Sequence, residues 1–125
     1  MPVIDREKSM TDTEVGTDVP AYLIARVSIK DGDVNRYMTE YGMPVIPIVA
    51  KYQGEVLVAS STAAVVEGDA CYNWTVVLRF PSRRLADAWY FSDEYAPFRK
   101  YRMTTLTTGG DVVLVDGFDP GTPPG

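Results

Sequence analysis

The chain has 125 residues, 46% of them hydrophobic and 23% charged, which is enough for one ordinary globular domain and leaves little room for two. With no histidine and a single cysteine, it excludes a Ser-His-Asp or Cys-His centre, a His-ligated metal, an intramolecular disulfide and a multi-thiolate metal site. The net charge of -5 sits at the two ends and leaves a balanced middle, unlike the clustered Lys and Arg of a nucleic-acid binder, so no nucleic-acid partner is expected.

Residues 1–19 set Arg6 and Lys8 against Asp5, Glu7, Asp12, Glu14 and Asp18, and read as a flexible acidic arm. They lack the apolar stretch of a secretory signal, and no apolar run approaches the roughly 20 residues that span a bilayer. A cytoplasmic protein with no membrane partner is expected. The domain is placed at residues 20–118, followed by a Pro- and Gly-rich tail at residues 119–125.

Ala21 to Ile29 alternates with period two, which predicts a strand with Ala21, Leu23, Ala25, Val27 and Ile29 on one face and Tyr22, Ile24, Arg26 and Ser28 on the other. Asp31 or Asp33 then caps a helix whose buried face is Val34, Tyr37, Met38 and Tyr41. Gly42 ends or bends it. Pro44 suits a renewed first turn and Pro47 removes a hydrogen bond, so Met43 to Tyr52 reads as a broken helix before a Gln53-Gly54 turn. Glu55 to Ala59 is a second strand that Ser60 to Glu67 could extend. Cys71 to Phe80 is the strongest strand, with Tyr72, Trp74, Val76, Leu78 and Phe80 on its apolar side and Asn73, Thr75, Val77 and Arg79 opposite.

Ser82 is a natural N-cap for a helix burying Leu85, Ala86, Ala88 and Trp89. A further helical piece runs from Ser92 or Asp93 through Tyr95, Phe98, Arg102 and Leu106 to a Gly109-Gly110 stop. In it, Arg99, Lys100 and Arg102 read as a solvated basic face. Asp111 to Asp116 is the last strand, which gives the order β-α-β-β-α-β.

The stretch from Phe80 to Arg102, FPSRRLADAWYFSDEYAPFRKYR, and VLVDG from Val113 to Gly117, together with Tyr22, Tyr37, Tyr41 and Gly54, resemble the bacterial domain-of-unknown-function family thirteen-thirty of the dimeric α+β barrel superfamily. The resemblance implies an α+β, ferredoxin-like monomer with an antiparallel sheet that pairs face to face with a second copy as a homodimer. It implies no reaction. Relatives by fold include cofactor-independent monooxygenases and lactone isomerases, and fold alone transfers none of those activities.

Without histidine, any chemistry falls to Tyr, Arg, Lys, Asn or carboxylates. Two pockets compete for it. On the sheet face away from the helices, Arg26 and Arg79 would hold and polarise an anion and Asn73 and Tyr22 would orient it, so these four are the catalytic candidates. The favoured reading of the same face is a dimer interface in which the arginines pair with Glu55, Asp116 or partner carboxylates. Between sheet and helices, Tyr37, Tyr41 and Trp74 are the substrate-binding candidates, with Trp89 and Tyr90 nearby, although aromatics at such spacing also make ordinary core. Trp74 and Asn73 point to opposite sides of one strand, so a single pocket does not use both. Cys71 reads as a buried or inert thiol, and Thr107-Thr108-Gly109-Gly110 as a turn. The expected function is a small cofactor-independent enzyme, of isomerase, cyclase or monooxygenase type, acting on a small anionic or phenolic organic molecule with no metal. The alternative is a non-catalytic small-molecule-binding or dimeric assembly protein.

Overall fold

The computed structural model describes residues 19–119; the acidic arm, apart from its last residue, and nearly all of the Pro/Gly tail lie outside the described residues. Four strands, β1 (Ala21–Ile29), β2 (Glu55–Ser60), β3 (Trp74–Phe80) and β4 (Thr107–Asp116), form one antiparallel sheet in the order β2-β3-β1-β4. The helices are α1 (Val34–Tyr37), α2 (Met43–Lys51), α3 (Arg83–Tyr90) and α4 (Ala96–Tyr101). The order β-α-β-β-α-β with this strand arrangement is the α+β ferredoxin-like fold.

The alternation of β1 turns Ala21, Leu23, Ala25, Val27 and Ile29 into the core, where they meet Trp74, Leu78 and Phe80 of β3 and the helices. Asp33 caps α1 by accepting from the Arg36 backbone N–H at 3.0 Å, and Ser82 caps α3 by accepting from that of Leu85 at 3.2 Å.

Two π-helical turns interrupt the helices. Met38–Gly42 joins α1 to α2, and Arg102–Leu106 follows α4 directly. Gly42 therefore neither ends nor breaks the first helical run. Pro47 lies inside α2 without stopping it, because the residue four before it loses only one backbone bond and Val45, Ile48 and Val49 hold the helix to the core. Other boundaries also shift from the sequence reading. β2 ends at Ser60 and residues 61–73 are an exposed connection, so Ser60 to Glu67 does not extend the strand. Cys71 is exposed in that connection rather than buried. Gly109 and Gly110 lie within β4, which begins at Thr107, instead of forming a turn.

The face of the sheet away from the helices is open. Strand register lays Val58, Val77, Ile24 and Val113 in one aliphatic row across all four strands. On one side of it runs the row Glu55, Arg79, Tyr22 and Val115, and on the other the row Ser60, Thr75, Arg26 and Asp111.

Candidate functional site

The four candidates of the open face are not drawn together. Arg26 and Arg79 flank the aliphatic row, four residues apart along the strands, or about 13 Å at the usual strand rise. Arg79 pairs with Glu55 at 3.6 Å, while the Arg26 guanidinium lies 5.0 Å from the Tyr72 ring centre and 3.4 Å from the Ala70 carbonyl oxygen. Asn73 precedes β3 and holds the end of β1, accepting from the Ile29 N–H at 2.7 Å and donating to its carbonyl at 3.1 Å. Tyr22 lies beside Arg79 in register.

The other set converges. Between sheet and helices is a cavity of about 80 Å³, lined by aliphatic residues of the sheet and α2 together with Tyr37, Tyr41, Trp74, Trp89, Tyr90, Tyr95 and Arg102. Its lining residues that reach solvent, Ile46, Val56 and Ala59, lie on α2 and β2, so the cavity opens along that edge. Tyr37 packs against Tyr41 and edge-on to Trp74, with ring centres 5.1 Å and 5.7 Å apart. Trp89 stacks on Tyr95 at 4.2 Å. Ser92 fixes that stack, donating to the Trp89 carbonyl at 2.8 Å and accepting from the Tyr95 N–H at 3.2 Å.

Arg102 closes one end of the cavity. It is only 6% exposed, and among the described residues no carboxylate forms an ion pair with it. Its guanidinium lies 5.9 Å from the Tyr41 ring centre. The two π turns thus deliver Tyr41 and Arg102 to the same place, and π turns interrupting helices are frequent at functional sites. Arg102, Tyr90, Val27 and Val112 also form one wall of an open groove of about 400 Å³ over residues 107–111 at the start of β4.

Burial raises the Tyr37 and Tyr41 hydroxyls well above the usual phenol value, an effect the Arg102 charge opposes without reversing. Both are therefore neutral donors at physiological pH, not bases. Among the described residues no Asp, Glu or Lys lines the cavity. The indole N–H of Trp74 faces the Tyr37 hydroxyl, and that of Trp89 is buried without an acceptor among the described residues.

The sequence reading placed Arg102 on a solvated basic face with Arg99 and Lys100. Instead Arg102 points inward while Arg99 clamps Tyr90, donating to its carbonyl at 2.5 Å with its guanidinium 5.1 Å from the ring centre. The spacing fits this, since Arg102 follows Phe98 by four residues and buried Tyr95 by seven on the same helix face. Tyr95 and Trp89 carried an aromatic signal, and what the sequence lacked was their mutual stacking and their approach to Tyr41.

Two solved structures share the fold. The crystal structure of RPA0582, a protein of unknown function from Rhodopseudomonas palustris, matches with a TM-score of 0.65 at 16% identity over 82% of this chain and 85% of that one. A crystal structure of methylated RPA0582 matches with a TM-score of 0.62 at 15% identity over 84% and 85%. At these identities the likeness is one of fold alone. No curated protein matches the chain. Residues 20–118 match the family described as Domain of unknown function (DUF1330), and the chain belongs to that family.

Proposed function

We propose that this domain binds a small organic anion in the cavity between sheet and helices, with Arg102 as its charge partner. The observation that carries the reading is a buried guanidinium without a carboxylate at the end of a largely apolar cavity. A buried charge with no opposite charge beside it is costly, the Tyr95 hydroxyl and the Tyr41 ring offset only part of that cost, and an anionic ligand would relieve the rest. Size favours an aliphatic acid over a phenolic one, because about 80 Å³ is roughly half of the 150 Å³ that accommodates benzene in a protein interior.

The enzymatic reading is favoured by one specific feature. The hydroxyls of Tyr41 and Tyr95 hydrogen-bond to each other near Arg102, a grouping of donors suited to a developing oxyanion. Among the described residues the cavity lining supplies no carboxylate or amine to act as base, so with these groups the cofactor-independent isomerase, cyclase or monooxygenase chemistry would be limited to steps that need an acid or an electrostatic stabiliser.

A homodimer is part of the same proposal. The open face has an aliphatic row through its centre and charged or polar rows on both sides, the pattern of a self-complementary two-fold interface. In such a dimer Arg26 and Arg79 serve pairing across the interface, while Tyr22 and Asn73 support the strand ends. Sedimentation velocity tests it: wild type is expected to run as a dimer and Val77→Lys as a monomer, whereas a monomeric wild type overturns it.

Ligand binding is tested by thermal shift of wild type and Arg102→Met against acetate, butanoate, benzoate and phenol. Ligand at a hundred times its dissociation constant adds about 2.7 kcal/mol, a shift of several degrees. A rise with a short carboxylate that disappears in Arg102→Met is expected. No rise with any carboxylate overturns the binding proposal and leaves the assembly reading.

A further inference from the structure

We propose that a carboxylate bound in the cavity sets one oxygen on Arg102 and the other on the hydroxyl proton of Tyr41, which makes Tyr41 a second binding residue and a monocarboxylate the ligand class. The inference rests on the anion-binding reading above and adds to it the group that tells a carboxylate from a ligand with one oxygen.

Arg102, Tyr95 and Tyr41 form a chain of hydrogen bonds whose direction is set at one end. A guanidinium has five N–H donors and no acceptor, so Arg102 can only donate to the Tyr95 oxygen. The hydroxyls of Tyr95 and Tyr41 are joined in turn at 2.5 Å, a bond in which either oxygen could be the donor. Donation from a cation decides between them. It draws electron density from the Tyr95 oxygen, which becomes a poorer acceptor for a second proton and a better donor of its own. Tyr95 therefore donates to Tyr41, and the proton left over is that of Tyr41, whose hydroxyl has no partner but Tyr95 among the described residues.

Exposure agrees with that order. Tyr95, in the middle, is sealed at 1% exposed, whereas Arg102 and Tyr41 at the two ends keep 6% and 8%, and all three line the one cavity. Two hydrogen bonds in series hold the Tyr41 oxygen within about 5.5 Å of an Arg102 nitrogen, a gap that one carboxylate bridges with an oxygen at hydrogen-bond distance from each. A carboxylate brings two acceptors and no donor, so it meets both open ends. An amide turns its NH₂ group toward one of two donors, and a phenol has a single oxygen and a proton of its own to place. Burial keeps the Tyr41 hydroxyl well above the usual phenol value, so its proton is in place at neutral pH.

The test titrates butanoate, butanamide and phenol by calorimetry into wild type, Tyr41→Phe and Tyr95→Phe. Both variants lose the same Tyr41–Tyr95 bond and keep their rings, so a merely loosened cavity weakens both alike and the difference between them isolates contact with the ligand. Tyr41→Phe is expected to bind butanoate about tenfold more weakly than wild type, the worth of one hydrogen bond to a charged group, and Tyr95→Phe about threefold more weakly or less. Butanamide and phenol are expected to bind wild type at least about tenfold more weakly than butanoate. A measurement free of substitutions accompanies these: in the proton NMR spectrum of wild type, butanoate is expected to bring one new downfield hydroxyl resonance with a nuclear Overhauser contact to the Tyr41 ring.

Equal losses in the two variants, or a new resonance that reports on the Tyr95 ring, would overturn the direction of the chain and the role of Tyr41. Butanamide that binds as tightly as butanoate would overturn the carboxylate assignment. Butanoate binding that is lost in Arg102→Met but unchanged in Tyr41→Phe would overturn the two-point site and leave the anion site standing. Failure of butanoate to bind wild type would remove the anion site itself, and this inference with it.

Discussion

The hydroxyls of Tyr41 and Tyr95 lie 2.5 Å apart, a buried hydrogen bond between residues 54 positions apart in the sequence. It ties the first π turn to the segment that leads into α4, and so holds two walls of the cavity together. Either single change, Tyr41→Phe or Tyr95→Phe, is expected to cost about 1–3 kcal/mol, because it leaves the other hydroxyl buried without its partner. The double variant should cost less than the sum of the two. Chemical denaturation of all four proteins measures the coupling, and strict additivity would mean that the bond contributes nothing.

Arg102 trades stability for binding. Among the described residues Arg102 has no carboxylate partner and its guanidinium bonds only the Tyr95 hydroxyl, and replacing such a buried charge with an apolar side chain of similar length is neutral or favourable for folding. Arg102→Met is therefore expected to melt at or above the wild-type temperature without ligand, and to lose the protection that a short carboxylate gives. A variant that melts well below wild type would show that Arg102 is held by its neighbours as a structural residue.

Alkaline stability reports on the buried phenols. Burial raises the Tyr37 hydroxyl above its unfolded value, with Arg102 lowering it in part and Tyr95 adding to the rise; Tyr41 shifts the same way. Their neutral forms are at no disadvantage below the unfolded value near pH ~10, so this part of the stability is complete there and is lost as pH climbs above it. In that range the unfolded chain gives up protons that the folded chain keeps. Tyr37→Phe should reduce the decline by about 1.4 kcal/mol in total, read from denaturation midpoints between pH 9 and pH 11 (roughly the span of phenol ionisation). An unchanged slope would place the Tyr37 hydroxyl in contact with solvent.

Gly110 has φ +133°, and a Cβ there would come within 2.2 Å of the Arg26 carbonyl oxygen and 2.6 Å of the Val27 Cα. Both obstacles are backbone, so neither moves aside cheaply. Gly110→Ala is expected to cost about 2–4 kcal/mol and to free the start of β4 from β1, where the ladder already changes register between Val27 and Ile29. Hydrogen exchange at residues 107–112 measures the local effect, with the far end at Asp116 staying protected.

Period and punctuation carried most of the fold. The alternation of β1 and β3, the caps at Asp33 and Ser82, and the element order were legible because each depends on neighbours close in sequence. The site was legible only in part. Tyr37, Tyr41 and Trp74 stand out as aromatics on buried faces, and the structure brings them to one cavity. Arg102 was misassigned for a different reason: it lies four residues after Phe98 and seven after Tyr95, on the buried side of the helix, but its charge and its neighbours Arg99 and Lys100 read as a solvated face. The reach of Pro47 was overestimated for a related reason: the loss of one hydrogen bond is local, and the packing of Val45, Ile48 and Val49 that outweighs it is tertiary.

The π turn at Met38–Gly42 has a consequence for the length of the chain. Such a turn holds one residue more than an α-helical turn, and at 3.6 residues per turn one residue is worth about 100° of rotation. Deleting Thr39 would let the whole run from Val34 to Lys51 close as regular helix, with every backbone bond available to it still made. Yet Tyr37 and Val49 would no longer face the sheet together, since the helix would have lost the phase step between them. What aligns the aromatic and aliphatic halves of this helix is a count of residues, so a single deletion could preserve the helix and still dismantle the cavity.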